Sequence, residues 1–205
     1  MSRFLNATRL ALLPIIASGT LVTFAIAEQH GTLAPPPEVV ANCQNCHGAN
    51  GDSATGDVPR LNGQQFLYLE ARLKDFRDPT REVPHATSNM WRVMLNIRDD
   101  SIPPIATYYS AQLPTPSKSS SPLASEGKRI FVMGAPGIPS CQSCHGAGGE
   151  GRGAVPRLAG QHAQYLKNQL AALSLAMRES DVMHPILNPM SEKQMDAIVA
   201  YLAGN

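Results

Sequence analysis

Apolar residues recur at the spacing of an α-helix in two matching stretches of this sequence. The first follows Gly63-Gln64, with apolar side chains at Phe66, Leu69, Leu73 and Phe76. The second follows Gly160-Gln161, with apolar side chains at Ala163, Leu166, Leu170 and Leu173. Residues three or four positions apart share one face of a helix, so each stretch predicts a helix with one buried side.

A third helix is predicted at the C-terminal end, where Ser191 and Gln194 form a capping-box pattern. Its apolar face comprises Met195, Ile198, Val199 and Leu202. The corresponding helix of the first half is predicted to start near Pro103, because a proline interrupts hydrogen bonding in a helix interior but not at its start. No stretch alternates like a strand, so the fold class is predicted to be mainly α.

The chain also repeats itself at an offset of 97 to 98 residues. Two Cys-x-x-Cys-His motifs, two Val-Pro-Arg-Leu runs, two Gly-Gln pairs and two Tyr-Leu pairs occur in the same order in each half. Between the halves, residues 114–122 are rich in proline and serine, which favours an extended connection. We therefore predict a first domain at residues 28–113, a linker at 114–122 and a second domain at 123–205.

The N-terminus has the pattern of a secretory signal. Arg3 and Arg9 precede an uncharged run that ends at Ala25-Ile26-Ala27, a small-residue cleavage pattern. We predict a cleaved signal peptide at residues 1–27. An uncleaved membrane anchor is the alternative, because the uncharged run is just long enough to span a bilayer.

Charge excludes one class of function. Without Arg3 and Arg9 the chain has 15 basic and 16 acidic residues, so it lacks the positive excess of a nucleic-acid-binding protein. Residues 28–113 carry 7 basic and 10 acidic residues, against 7 and 6 in residues 123–205. This asymmetry could orient the molecule toward a charged partner.

The four cysteines indicate which cofactor the chain binds. Cys43 and Cys46 are followed by His47, and Cys141 and Cys144 are followed by His145. This is the attachment motif of c-type haem, in which two thiols bind the porphyrin covalently and the histidine is the proximal iron ligand. A bare Cys-x-x-Cys could instead form a disulfide, a thioredoxin-like redox pair or half a zinc site. The histidine that follows both pairs favours two covalently bound haem c groups.

A methionine in each half is the candidate for the second axial ligand. Met90 lies 18 residues before Tyr108, and Met183 lies 18 residues before Tyr201. The competitors, at positions without this match, are Met94, Met177, Met190, His85 and His184.

Two further pairs of residues are candidates for roles around the haems. The carbonyls of Pro59 and Pro156 could accept a hydrogen bond from the proximal histidines. Arg60 and Arg157 could pair with haem propionates. A turn role for the prolines and solvent exposure of the arginines remain open as alternatives.

Taken in order, these motifs resemble the dihaem cytochrome c4 family from about Pro37 to Leu202. The resemblance implies two tandem class I cytochrome c domains related by a pseudo-twofold axis. It also implies that His47 pairs with Met90, and His145 with Met183, as axial iron ligands. In the second half, Gly127 and Phe131 match the N-terminal helix of a class I domain, which crosses the last helix closely.

The first half departs from that pattern. Residues 31–37 replace the start of the N-terminal helix, and Pro103-Pro104 is expected to break the last helix. Both of the helices that normally cross are therefore expected to be weaker in the first domain.

The resemblance further implies a monomeric periplasmic electron carrier, soluble or membrane-associated, rather than an enzyme. Its expected redox partners are a quinol-oxidising cytochrome complex and a terminal oxidase. One alternative is a haem subunit docked to a dehydrogenase. Another is a dihaem enzyme such as a peroxidase or a sulfur-compound dehydrogenase, which needs an iron with an open or weakly held distal position.

Overall fold

The computed structural model describes residues 33–78, 88–117 and 120–205. The proposed signal peptide at residues 1–27 and the candidate ligand His85 lie outside these ranges. Within them the secondary structure is helical, with two isolated bridges and no strand, so the predicted fold class is confirmed. None of the helices in this part of the chain is long and apolar enough to cross a membrane.

In the first half, the described residues form four α-helices. A short π-helical segment, Val39–Cys43, leads directly into α1. The α-helices are α1 (Gln44–His47), α2 (Phe66–Asp75), α3 (Ser88–Met94) and α4 (Ile102–Ser110). The predicted α2 stripe lies against the core of this half, where Leu69 is buried and Phe66, Leu73 and Phe76 are partly buried.

The second half contains five α-helices. They are α5 (Ala124–Met133), α6 (Gln142–His145), α7 (Ala163–Ser174), α8 (Met183–Leu187) and α9 (Glu192–Leu202). The capping box predicted at Ser191 and Gln194 is present and begins α9. Leu166 and Leu173 of the predicted α7 stripe are buried, whereas Ala163 is exposed at the first turn.

Each half has its own hydrophobic core. In the second half α5 crosses α9, and the ring of Phe131 lies 5.4 Å from that of Tyr201. Gly127 permits this crossing, because a Cβ atom there would overlap the backbone carbonyl of Ala197. In the first half α2 packs against α4, and the described residues include no counterpart of α5.

The expectation that Pro103-Pro104 breaks the last helix of the first half is wrong. A 3₁₀ turn at Asp99–Ser101 leads into α4, which begins at Ile102, so both prolines fall in the first turn. The amide hydrogens that proline lacks are unpaired there in any helix, and α4 continues to Ser110. The predicted start near Pro103 is confirmed to within one residue.

Candidate haem-binding site

The two cysteine pairs occupy equivalent places in the two halves. Cys43 precedes α1 and Cys141 precedes α6, and both are half-buried, whereas Cys46 and Cys144 are exposed within those helices. All four thiols are free. Burial raises the pKa of Cys43 to about 11, and burial also raises the pKa of Cys141.

Each motif histidine is buried and held by one hydrogen bond. The Nδ1–H of His47 donates to the Pro59 carbonyl at 2.9 Å, and that of His145 donates to the Pro156 carbonyl at 3.0 Å. Burial lowers the pKa of both imidazoles, and the hydrogen bond to the proline carbonyl opposes this effect. A neutral imidazole with its proton on Nδ1 keeps a lone pair on Nε2, the form that binds a metal. The acceptor role predicted for the two proline carbonyls is confirmed.

The matched methionines differ from their competitors in burial. Met90 and Met183 are both partly buried against the core of their own half. Met94 and Met190 lie inside the cores, at 1% and 6% exposure. When the two halves are aligned on Tyr108 and Tyr201, Met94 is matched by Leu187 and Met190 by Ile97. Both of these matched residues are buried, and neither can bind iron. Met94 and Met190 therefore occupy positions where the repeat requires only an apolar side chain.

Of the other candidate iron ligands, Met177 is exposed to solvent and His184 is held by a hydrogen bond. Met177 is 55% exposed. The Nδ1–H of His184 donates to the Leu173 carbonyl at 2.9 Å, which ties α8 to α7.

The two arginines that follow the prolines behave differently. Arg60 donates from Nε to the Asp52 carboxylate at 2.9 Å and from a terminal nitrogen to the Gly160 carbonyl at 2.6 Å. The Nε–H of Arg157 is buried without a hydrogen-bond partner. Burial lowers the pKa of the Arg157 guanidinium, and the Glu150 carboxylate opposes this effect. Arg157 is therefore the one of this pair with a buried donor still available for an anion.

The seam between the two halves is built on two buried glutamines. Gln64 accepts from the Arg157 backbone N–H at 2.7 Å and donates to the Arg157 carbonyl at 3.0 Å. Gln161 makes the same two bonds with the backbone of Arg60, at 2.9 and 3.0 Å. We call these four bonds the glutamine clamp. Each glutamine thus holds the residue that follows the proline acceptor of the opposite half.

The sequence showed the glutamines of the clamp only as part of the repeat. Their signal was two Gly-Gln pairs at equal offset, each just before a helix. A polar residue repeated at that place gives no indication that its partner lies in the other half. The contact depends on how the two halves dock, which local periodicity does not determine.

A second group of polar side chains crosses the same seam. Arg178 donates to the Tyr68 hydroxyl at 3.1 Å and to Gln169 at 2.6 Å, while its Nε–H is buried without a partner. Burial lowers the pKa of the nearby Arg72, and the positive charge of Arg178 adds to this effect. Sequence reasoning assigned no role to these arginines.

Attached haem suits this set of groups. Each half offers two free thiols, a buried imidazole with an available nitrogen and a half-buried methionine, all of them groups that c-type haem binds. The buried unpartnered N–H groups of Arg157 and Arg178 are donors suited to carboxylates such as the haem propionates. Among the described residues, no three His, Cys, Asp or Glu side chains form a separate metal cluster.

Comparison with known proteins extends the resemblance to most of the chain. Residues 124–205 match the cytochrome c family model. Cytochrome c4 of Azotobacter vinelandii is 33% identical over 200 residues, which cover 90% of this chain and 94% of the relative. The thiosulfate dehydrogenase electron acceptor of Stutzerimonas stutzeri is 35% identical, covering 78% of this chain and 77% of the relative.

A solved cytochrome c4 structure also matches the fold. The protein from Acidithiobacillus ferrooxidans superposes with a TM-score of 0.75 at 36% identity, covering 80% of this chain and 99% of that one. Helical architecture, two attachment motifs and similarity over both halves all agree. The chain therefore belongs to the cytochrome c4 family, and it is an electron-transfer cytochrome with two covalently bound haem c groups and redox proteins as its partners.

Proposed function

We propose that this protein carries single electrons in the periplasm, from a quinol-oxidising cytochrome complex to a terminal oxidase. The observation that carries the proposal is the matched pair of half-buried methionines, one for each haem. An iron with two protein ligands has no open position for a substrate, which favours a carrier over an enzyme.

The proposal assigns a role to eight residues. Cys43 and Cys46 attach one haem, and Cys141 and Cys144 attach the other. His47 and Met90 are the axial ligands in the first half, and His145 and Met183 are the axial ligands in the second. When bound, each haem iron supplies a one-electron redox couple.

The surrounding chain prepares these ligands. The Pro59 and Pro156 carbonyls keep the proton on Nδ1 of each histidine, so that Nε2 is available before the iron arrives. Burial opposes protonation of the imidazoles, which favours the ligating form at neutral pH. The chain thus supplies neutral nitrogen ligands that need no loss of a proton on binding.

The glutamine clamp supports transfer between the two halves. In the clamp, Gln161 binds the backbone of Arg60 and Gln64 binds the backbone of Arg157. These two arginines directly follow the prolines whose carbonyls accept from the histidines. A fixed seam keeps the distance between the redox centres constant and limits reorganisation when an electron moves. We propose that one half accepts the electron and the other delivers it.

A second candidate function is favoured by the relative named thiosulfate dehydrogenase electron acceptor. A dehydrogenase-linked haem subunit would use the same haem ligands and differ in its electron donor. The two functions therefore separate by partner and not by haem chemistry.

Stopped-flow kinetics with purified partners test the proposal. The oxidised protein is mixed with a quinol-oxidising cytochrome complex and quinol, and separately with a thiosulfate dehydrogenase and thiosulfate. We expect reduction to be fastest with the quinol-oxidising complex and the reduced protein to be reoxidised by a terminal oxidase. Efficient reduction by the dehydrogenase alone would overturn the respiratory route and support the second candidate.

A further inference from the structure

The side chain of Tyr109 in α4 is buried at 1% exposure, and its hydroxyl has no hydrogen-bond partner. An unsatisfied buried hydroxyl is unfavourable, and native structures contain few of them. Its neighbour Tyr108 is satisfied, because that hydroxyl donates to the Ala49 carbonyl at 2.8 Å. The Tyr109 hydroxyl is therefore a buried donor that is available to an acceptor beside it.

The second half has no such hydroxyl. The residue after the matched tyrosine is Tyr109 in the first half and Leu202 in the second. A Cβ added at Gly51 would lie 2.8 Å from Cδ1 of Tyr109, and one added at Gly149 would lie 3.1 Å from Cδ2 of Leu202. Both side chains thus cover the same glycine of the loop after the attachment motif, and only Tyr109 carries a donor.

The group beside Tyr109 is the first attachment cysteine of its own half. Cys43 packs against the hydrophobic core that contains Tyr109. The Tyr109 hydroxyl interacts with the Cys43 side chain and opposes the rise that burial causes in the pKa of that thiol. The thiol S–H itself donates to the Glu38 carbonyl at 3.6 Å.

Attachment of haem changes the hydrogen-bonding capacity of this sulfur. A thioether has no S–H hydrogen but keeps its lone pairs, so it can only accept. Because the S–H adds across a vinyl group of the haem, the bond to the Glu38 carbonyl is then lost. The lone pairs of the sulfur remain as its only hydrogen-bonding capacity, and a neighbouring donor can use them.

We propose that in the haem-bound protein the Tyr109 hydroxyl donates a hydrogen bond to the Cys43 sulfur and raises the reduction potential of the first haem. The inference rests on haem attachment at Cys43 but not on the respiratory route. A donor hydrogen carries partial positive charge, which stabilises the additional electron of the reduced state. Leu202 leaves the second haem without this effect, so the two haems are made unequal by one hydroxyl.

The test is the Tyr109→Phe variant of the full haem-loaded protein, because phenylalanine keeps the ring and removes only the hydroxyl. Proton NMR of the haem methyl groups through a redox titration follows each haem separately. We expect the equilibrium constant for electron exchange between the haems to shift about three- to tenfold toward reduction of the second haem, the effect of one hydrogen bond. Tyr108→Phe, which removes a hydroxyl bound to a backbone carbonyl of the same half, is the matched control and should shift this constant less.

Resonance Raman spectra of the wild-type protein provide a second test that needs no variant. The band of the Cys43 thioether C–S bond should shift between H₂O and D₂O, because the hydroxyl hydrogen exchanges. Unchanged potentials in Tyr109→Phe with no solvent-isotope shift would overturn the proposal. Equal shifts of both haems would also overturn it, because they would indicate a general structural effect. A count of haems per chain separates either result from a failure of attachment.

Discussion

At the scale of single residues, the two methionines proposed as distal ligands decide whether the irons are closed to substrates. Met183→Ala is expected to leave both haems attached while opening one distal position. The potential of that haem should fall, because a methionine ligand raises it, and the haem should bind added ligands such as imidazole or cyanide. Optical titration with imidazole measures the open site.

Met190→Leu is the matched control for this prediction. Met190 is buried in the same core, and leucine has a similar volume, so the change should cost little stability and leave both irons closed. If Met190→Leu opened an iron and Met183→Ala did not, the ligand assignment in the second half would be wrong.

The residues proposed to attach haem could be identified from the sequence because their spacing is local. A Cys-x-x-Cys-His motif places its ligands within one helical turn, so sequence alone fixes their relation. Tyr109 was not predicted, and Arg157 could not be distinguished from Arg60, because what sets both residues apart is a buried donor without a hydrogen-bond partner. Burial without a hydrogen bond becomes visible only in three dimensions.

At the scale of elements, the crossing of α5 and α9 depends on one missing side chain. Gly127→Ala would place a Cβ atom against the Ala197 carbonyl, so the helices must separate. We expect the free energy of unfolding to fall by about 1 to 3 kcal/mol, as in other overpacked interfaces. Chemical denaturation followed by circular dichroism measures the change.

Gly56→Ala is the control for this substitution. A Cβ atom there would meet only Gln164 at the ordinary contact distance of 3.7 Å. Its stability should stay close to that of the unmodified protein. Equal stability of the two variants would contradict a crossing that requires glycine.

The helices themselves followed well from apolar periodicity, and their ends followed less well. The capping box at Ser191 and Gln194 located the start of α9, because both of its partners are local. The prolines misled the prediction for α4. Their effect depends on whether they lie in the first turn or in the interior, and that was set by the 3₁₀ turn at Asp99–Ser101 before them.

At the scale of the whole molecule, the glutamine clamp contributes four of the hydrogen bonds that hold the two halves together. Gln64→Ala would leave the backbone N–H and carbonyl of Arg157 without their partners. We expect the free energy of unfolding to fall by about 1 to 3 kcal/mol, and the two halves to unfold less cooperatively. Differential scanning calorimetry should then resolve two transitions or a broadened one.

Gln65→Ala provides the comparison from the same seam. Gln65 makes an exposed bond to the Glu150 carbonyl at 2.9 Å, so its loss should have a smaller effect. A Gln64→Ala variant that unfolds with unchanged cooperativity would show that the remaining contacts between the halves are sufficient to couple their unfolding. The domain bounds 28–113, 114–122 and 123–205 remain predictions, which limited proteolysis within residues 114–122 would examine.

The central claim is that this chain holds two haems, each with histidine and methionine as axial ligands. Near-infrared magnetic circular dichroism of the oxidised protein, expressed with export to the periplasm, identifies the ligands of each iron. The pyridine haemochrome method counts the haems per chain in the same sample. We predict two haems per chain with histidine–methionine bands from both. One haem per chain, or an iron that is high-spin or ligated by two histidines, would contradict the account.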